Sequence, residues 1–178
     1  MSAPDEKIRQ MHALAVLRRL AVACALAAGL AAHALEAPAG KVLLTVSGDI
    51  EHRNGPDGAA FDLAMLQKLP QASFSTKTPW YPEPRKFTGV PLRHLLAALG
   101  ASGSSLRAIA LNDYRVDIPI SDIAEADAML AYLLDDKPML VRDKGPLVVI
   151  YPFDSRPELK SAINYSRAAW QLRTLELR

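Results

Sequence analysis

"FTGVPLRHLLAALG", residues 87–100, changes its period half-way along, and the change marks where a new element begins. From Leu92 the leucines fall at i, i+3, i+4 and i+7 (Leu92, Leu95, Leu96, Leu99), which lines one face of a helix. Pro91 suits the first helical position, where its missing N–H costs nothing, and Gly100 ends the run. His94 lies beside the stripe and reads as a packed or solvent-edge histidine rather than a ligand. Just upstream, "TKTPWYPEPRKFTGVPL" (76–92) carries Pro79, Pro82 and Pro84. Each proline fixes its own backbone angle, donates no hydrogen bond and pushes the preceding residue into an extended form, so an irregular surface loop is expected. Loops carry binding residues more often than scaffolds do, and this one holds Trp80, Tyr81, Arg85 and Lys86. Trp80 has two readings: a plug for one end of the core, or an aromatic face for a flat ligand.

Flanking segments supply the other elements. "KVLLTVSG" (41–48) and "ASFSTK" (72–77) read as strands. Between them Asn54-Gly55 and Asp57-Gly58 are turn dipeptides, which makes His52 and Asp57 turn residues rather than chemistry. "DLAMLQKL" (62–69) is a short helix capped by Asp62, with Leu63, Leu66 and Leu69 inward, stopped at Pro70. "SLRAIAL" and "YRVDIPI" alternate like two strands around "NDY". Asp122 and Glu125 have capping-box spacing ahead of an inward stripe of Ile123, Met129, Leu130 and Leu133. "PMLVRDKGPLVVIYP" (138–152) places two apolar runs about "RDKGP", a buried hairpin with a polar tip. "WQLRTLEL" alternates again. Strands and a few short helices in mixed order, without repeats, make the class α+β.

The first 34 residues read as an export leader, not as fold: Arg18 and Arg19 precede "LAVACALAAGLAAHA", too short for a membrane span of about 20 residues, and cleavage is expected after Ala34. The domain is then 35–178. Of the 21 Lys and Arg and 19 Asp and Glu, the leader holds four and two, which leaves 17 of each. A balanced chain without a Lys or Arg run makes nucleic acid an unfit partner. The single cysteine, Cys24, falls in the leader, so the domain has neither disulfide nor thiolate. Only His52 and His94 remain, without metal-binding spacing, so no metal site is expected. "GASGSS" (100–105) lacks the strand-to-helix turn of a serine nucleophile, and the Asp135-Asp136 pair in "LLDDKP" reads as a solvated turn. General acid–base catalysis has no candidate, and catalytic residues are none.

"FTGVPLRHLLAALG", "NDYRVDIPI", "MLAYLLDDKPMLVRDKGPLVVIYP" and "WQLRTLEL" follow, in order and spacing, a pattern that resembles the molybdopterin-binding domain of the sulfite oxidase family over most of residues 41–178. That resemblance implies a mixed, mostly-β fold. It also implies that the loop after the "SFSTKT" strand should supply a cysteine whose thiolate holds molybdenum, whereas this chain reads Thr76-Lys77-Thr78-Pro79-Trp80. A hydroxyl or ammonium replaces a thiolate poorly on a soft, high-valent metal. "RDKGPL", "YPFDS" and "SRAAWQL" are further similar to a cysteine-free, exported subgroup. Membership of that subgroup implies a periplasmic protein that binds a reduced, metal-free pterin and docks on the periplasmic domain of an inner-membrane GGDEF/EAL-type sensor, modulating cyclic di-GMP synthesis or degradation without being an enzyme.

A pterin ring is flat and carries N–H donors and carbonyl or ring-nitrogen acceptors along one edge, so it needs aromatic faces with polar groups at that edge. The aromatic candidates are Trp80, Tyr81, Tyr151, Tyr165 and Trp170, with a core role open for Trp170. Asp113 and Asp143 are candidate edge acceptors, and Arg85, Lys144 and Arg167 could meet the ring carbonyl or side-chain hydroxyls. Tyr114 reads as packing. Two other readings stand beside this one: a molybdopterin-dependent oxidoreductase with an unusual metal ligand, and a structural adaptor with a vestigial cleft.

Overall fold

The computed structural model describes residues 35–178; the expected leader, with Cys24, lies outside the described residues. Among the described residues two mostly antiparallel sheets carry the fold, with four short α-helices, which is the expected α+β class. The first sheet contains β1 (Leu44–Gly48), β2 (Ala59–Phe61), β5 (Ser105–Ala110), β6 (Arg115–Pro119) and β10 (Leu172–Leu177), in the order β2-β1-β10-β5-β6. β10 pairs with β1 in parallel, Thr45 opposite Thr174, and this is the one parallel pair among the named strands. The second sheet runs β3-β4-β7-β8, from β3 (Ala72–Thr78), β4 (Tyr81–Pro91), β7 (Met129–Leu134) and β8 (Lys137–Pro138), and β9 (Val148–Ile150) also pairs with β7.

The helices are α1 (Leu63–Lys68), α2 (Leu92–Ala98), α3 (Ile120–Glu125) and α4 (Ala162–Arg167). Asp62 caps α1 as expected, accepting from the Met65 N–H at 2.9 Å, and its other oxygen accepts from the Gly40 N–H at 2.7 Å. One carboxylate thus starts a helix and ties down the chain entering β1. In α2, Leu92, Leu95 and Leu96 are buried together with Leu99, and Gly100 closes the helix at φ 59°. His94 is half-buried on that helix. The leucines join Leu44, Val46, Phe61, Phe87, Leu106, Ile118 and Val148 in one core.

Three expectations need correction. The proline-rich stretch is not a loop but the tip and second strand of the β3–β4 hairpin. Thr78 pairs with Tyr81 and Thr76 with Arg85, so Pro82, Glu83 and Pro84 bulge opposite Lys77, and β4 meets β7 only from Phe87 onward. A bulge on a strand with a free side is where a strand accepts proline. The stripe from Ile123 to Leu133 is core, yet no single helix carries it. Asp122 and Glu125 form no capping box, α3 ends at Glu125, and Met129, Leu130 and Leu133 belong to β7. A positive φ of 51° at Asp127 turns the chain between the two. Finally, 138–152 is not a hairpin. β8 and β9 both pair with β7, at Leu133–Leu134 and at Met129–Ala131 respectively, so the two runs lie end to end along the edge of β7 opposite β4. The true hairpin joins β7 to β8 through Asp135 and Asp136, at φ 49° and 62°, a two-residue turn of the kind that matches strand twist.

Gly89 allows a close strand approach. The β4–β7 register shifts beside it, and a Cβ there would lie 2.0 Å from the Leu130 carbonyl oxygen. We therefore expect Gly89→Ala to lower the free energy of unfolding by about 3 kcal/mol or more, read as a shift in the urea midpoint at constant slope. Acid should destabilise the fold through its carboxylates. Hydrogen bonds from the Met65 and Gly40 N–H groups hold Asp62 below the ordinary carboxylate range, Arg107 does so for Asp117, and Lys160 with the Lys77 N–H does so for Asp154. Each folded pKa is depressed, so its stabilisation is complete above the unfolded value near 4 and is lost as pH falls through the folded value. A urea series in acid should show stability falling below pH about 4, with a smaller fall in Asp154→Asn.

Candidate functional site

Trp170 stands two residues before β10, and its indole meets three rings from the β3–β4 hairpin. Trp80 lies edge-on at 5.1 Å between centroids, Tyr81 at 5.9 Å and Phe87 at 6.2 Å. Tyr165, in the middle of α4, approaches Trp80 edge-on at 6.5 Å and Phe153 at 4.8 Å. Edge-to-face pairs of this kind contribute about 0.5–1.5 kcal/mol each beyond their buried area. Cations complete the cluster: Lys144 Nζ lies 6.0 Å from the Trp170 ring and the Arg85 guanidinium 4.8 Å from the Tyr81 ring. Arg85 is also held by Asp135 at 2.5 Å.

An open cavity of about 240 Å³ lies against these rings, walled by Trp80, Tyr165 and Trp170 on one part and by Asn112, Tyr114 and Gln171 on another. It falls below the ~300–1,000 Å³ of drug-sized sites, a size suited to a flat headgroup rather than a whole dinucleotide cofactor. Its polar equipment is neutral. The Asn112 carboxamide oxygen accepts from the Tyr114 N–H at 3.2 Å, the Tyr114 hydroxyl donates to the Ser166 carbonyl at 2.8 Å, and the Gln171 carboxamide nitrogen donates to the Val141 carbonyl at 2.8 Å. These bonds leave the Asn112 NH₂ and the Gln171 carboxamide oxygen as donor and acceptor for a ligand edge. The Trp170 Nε1–H is buried with no hydrogen-bond partner among the described residues. Such an orphan costs about 1–3 kcal/mol, so an acceptor brought beside it would be stabilised.

Three of the six non-glycine residues with positive φ among the described residues lie in the segments around the cavity. Asp113, Lys144 and Gln171 all have positive φ, at 63°, 70° and 52°. Non-glycine residues there cost roughly 1–2 kcal/mol each, and such residues concentrate at binding sites. Gln171 is the knot: its N–H donates to the Lys144 carbonyl at 3.0 Å, and its own carbonyl accepts from the Leu111 N–H at 2.8 Å.

Of the residues named from sequence, the fold brings together Trp80, Tyr81, Arg85, Lys144, Tyr165 and Trp170. Asp143 belongs to the same neighbourhood: burial pushes the Tyr81 phenol up, Arg85 opposes this, and the charge of Asp143 adds to the rise. Three others stand apart from the cavity wall. Asp113 is on the β5–β6 turn and pairs with Arg173 at 2.8 Å. Arg167, at the end of α4, is held by Asp122. Tyr151 is fully buried beside Phe153, its hydroxyl unpartnered among the described residues, and burial raises its pKa so that it stays protonated. Sequence reasoning missed Asn112 and Gln171 and took Tyr114 for packing, although Tyr114 is largely exposed at the cavity rim. The "NDY" turn was the available signal.

The hydroxyls at the start of the hairpin are committed elsewhere. Thr76 Oγ1 accepts from the Asp154 N–H at 3.1 Å and donates to the Lys77 carbonyl at 3.2 Å, while Thr78 Oγ1 accepts from the N–H groups of Trp80 and Tyr81 at 3.3 and 3.2 Å. Both threonines are buried.

The family model for the oxidoreductase molybdopterin binding domain matches residues 59–153, just over half of the chain. The chain belongs to this family. Among solved structures it is similar to the sulfane dehydrogenase SoxCD from Paracoccus pantotrophus, with a TM-score of 0.56 and 16% identity over 75% of this chain. The match covers 37% of the SoxCD chain, so the likeness is one of fold. No curated protein matches. Within the family frame, the donor set does not fit a molybdenum centre. The described residues contain no thiolate, the two threonines use their hydroxyls on backbone, and no group of three His, Cys, Asp or Glu side chains converges among the described residues. The aromatic wall with its neutral amide edge does fit the organic ring.

Trp80 and Trp170 are the two tryptophans of the chain, and both wall the cavity. A ring stacking there should change intrinsic fluorescence strongly, and Trp80→Phe should reduce the change without abolishing it. A ligand that binds by calorimetry yet leaves the emission unaltered would be bound elsewhere.

Proposed function

We propose that the chain is a non-catalytic pterin receptor: an exported, periplasmic protein that binds a reduced, metal-free pterin and docks on the periplasmic domain of an inner-membrane GGDEF/EAL-type sensor, modulating its cyclic di-GMP synthesis or degradation. The observation that carries the reading is the β3–β4 hairpin. Where the family resemblance calls for a metal-holding thiolate, Thr76 and Thr78 spend their hydroxyls on the chain itself, directly beside an aromatic cavity of ring size. Trp80, Tyr165 and Trp170 offer faces, Asn112 and Gln171 offer a donor and an acceptor to the ring edge, and Lys144 offers a cation beside the indole. No proton-transfer step is assigned to any residue. What these groups do is orient a ring and shield one of its faces from water.

Export is supported by the composition of residues 1–34, and the sensor partnership by the likeness of "RDKGPL", "YPFDS" and "SRAAWQL" to the exported subgroup. Membership of a molybdopterin-binding family favours one competing reading, a molybdenum oxidoreductase with an unusual ligand. Titration of the purified protein with a tetrahydropterin, paired with elemental analysis for molybdenum, separates the two. The receptor reading expects saturable binding in metal-free protein, weakened at least tenfold by Asn112→Ala with thermal stability retained, and by Trp80→Ala with some loss of stability from the ring packing it removes. Stoichiometric molybdenum together with sulfite or sulfoxide turnover would replace it with the enzyme reading, and indifference to every pterin in either redox state would leave only an adaptor.

A further inference from the structure

A second cavity, of about 210 Å³, lies at the start of the β1–β10 ladder. Its apolar lining comes from Val42, Leu43, Leu111, Val141, Pro146 and Leu172. Val42, Leu111 and Val141 are three of the six large hydrophobic side chains left exposed among the described residues, at 44%, 43% and 50%, and all three meet in this one groove. Contiguous exposed apolar surface rimmed by polar groups marks an interaction site more often than it marks chance. Leu140, at 49%, extends the patch next to Val141.

Charge selects the occupant. The charged residues that line the groove are Lys41 and Arg173, both cations. Arg142 and Lys144 follow Val141 in the same turn, and the acids beside them are Asp113, paired with Arg173, and Asp143, 3.6 Å from Arg142. Lys144 turns its ammonium to the Trp170 ring, so three cations stand against two acids at the rim, and Lys41, which makes no salt bridge among the described residues, leaves it positive although the described domain as a whole is balanced. A positive rim around an apolar floor recruits a segment that presents apolar side chains between carboxylates and rejects a basic one, because like charges at close quarters oppose docking.

The groove and the aromatic cavity share their partition. Asn112 and Gln171 face the ring cavity while their chain neighbours Leu111 and Leu172 face the groove, and the Gln171 side chain holds the carbonyl of Val141. We propose that this groove is the partner-docking surface and that it takes an acidic-apolar protein segment. The assignment rests on the receptor reading above for the identity of the partner, and the surface itself stands on its own residues.

The test uses two synthetic peptides of equal length, one alternating Leu and Asp and the other Leu and Lys, titrated into the isotope-labelled protein at physiological salt. Backbone amide shifts report where each one binds. Shifts confined to residues 41–45, 111, 140–146 and 172–174 with the Leu-Asp peptide, at least tenfold weaker binding of the Leu-Lys peptide, and at least tenfold loss in Val42→Glu, Val141→Glu and Lys41→Glu would support the proposal. The valines are exposed and Lys41 is a surface cation, so a melt of each variant matching the parent is expected and confirms folding. Equal binding of the two peptides, shifts mapping to another face, or shifts at the same residues that grow with protein concentration alone would overturn it, the last by making the occupant a second copy of the chain. A tetrahydropterin titration followed by tryptophan emission keeps the two readings apart. Loss of pterin binding in the parent protein sinks the receptor reading and leaves the groove, whereas intact pterin binding with no groove response sinks the groove alone.

Discussion

The packing of Trp170 against Trp80, Tyr81 and Phe87 is the contact on which the rest of the molecule's functional end depends. Trp170 leads into β10, the central strand of one sheet, and the other three rings belong to the hairpin of the second sheet. Backbone bonds cross there too, from the Val149 N–H to the Ala169 carbonyl and from the Leu172 N–H to the Leu147 carbonyl, both at 3.0 Å, and the ring packing adds to them in holding the spacing. The cavity is what remains beside that packed edge, with Tyr165 completing its wall. A ring cluster is a good spacer for this purpose because each aromatic buries a large area with few rotatable bonds. It also gives the site two flat faces without a flexible side chain.

On the receptor reading, the hairpin tip serves a ring site without a metal tether. A ligand residue must project its donor atom into the cleft, free of other bonds. Thr78 does the reverse: its hydroxyl turns back to accept two N–H groups of the tip, which fixes Trp80 and Tyr81 in place. Thr76 bridges the hairpin to Asp154, and Asp154 in turn binds the Lys77 N–H at 2.7 Å and Lys160 at 2.8 Å. The polar groups of this segment therefore organise the chain for aromatic presentation. The same residue types read in isolation suggest only turn chemistry.

Where local period and local packing agree, the sequence foretold the element: α2 from its leucine spacing, α1 from Asp62, and β5 and β6 from their alternation about "NDY". Where tertiary pairing decides, it did not. β7 is bonded on both edges, so it reads as a continuous apolar run, and Ile123, Leu130 and Leu133 fit a helical stripe equally well. The two runs of 138–152 look like partners because a turn separates them, yet both pair with the same edge of β7, which no local signal reveals. Proline in β4 misled for a related reason, since only a bulge on an edge left free of β7 makes it acceptable. At the site, the aromatic and cationic residues were legible as types unsuited to idle surface. Asn112 and Gln171 were not. Amides in turns are common for purely local reasons, and Gln171 adopts its left-handed conformation without the glycine that normally announces one.

On the receptor reading and the groove proposed above, Gln171 gives a physical basis for communication between ring and partner. Its backbone joins the Lys144 loop to the β5–β6 turn, its side-chain nitrogen holds Val141, and the residue itself lines the ring cavity. A ligand that draws on the carboxamide must work against the Val141 bond or strengthen it through polarisation, and either change alters the groove wall that Val141 supplies. The coupling is reciprocal by thermodynamic necessity: whatever factor the ring adds to partner affinity, the partner adds to ring affinity, and tenfold corresponds to about 1.4 kcal/mol. That is close to the net value of one hydrogen bond to a neutral group, about 0.5–1.5 kcal/mol. One hydrogen bond is therefore of the right magnitude to link a ring in one cavity to a partner in the other.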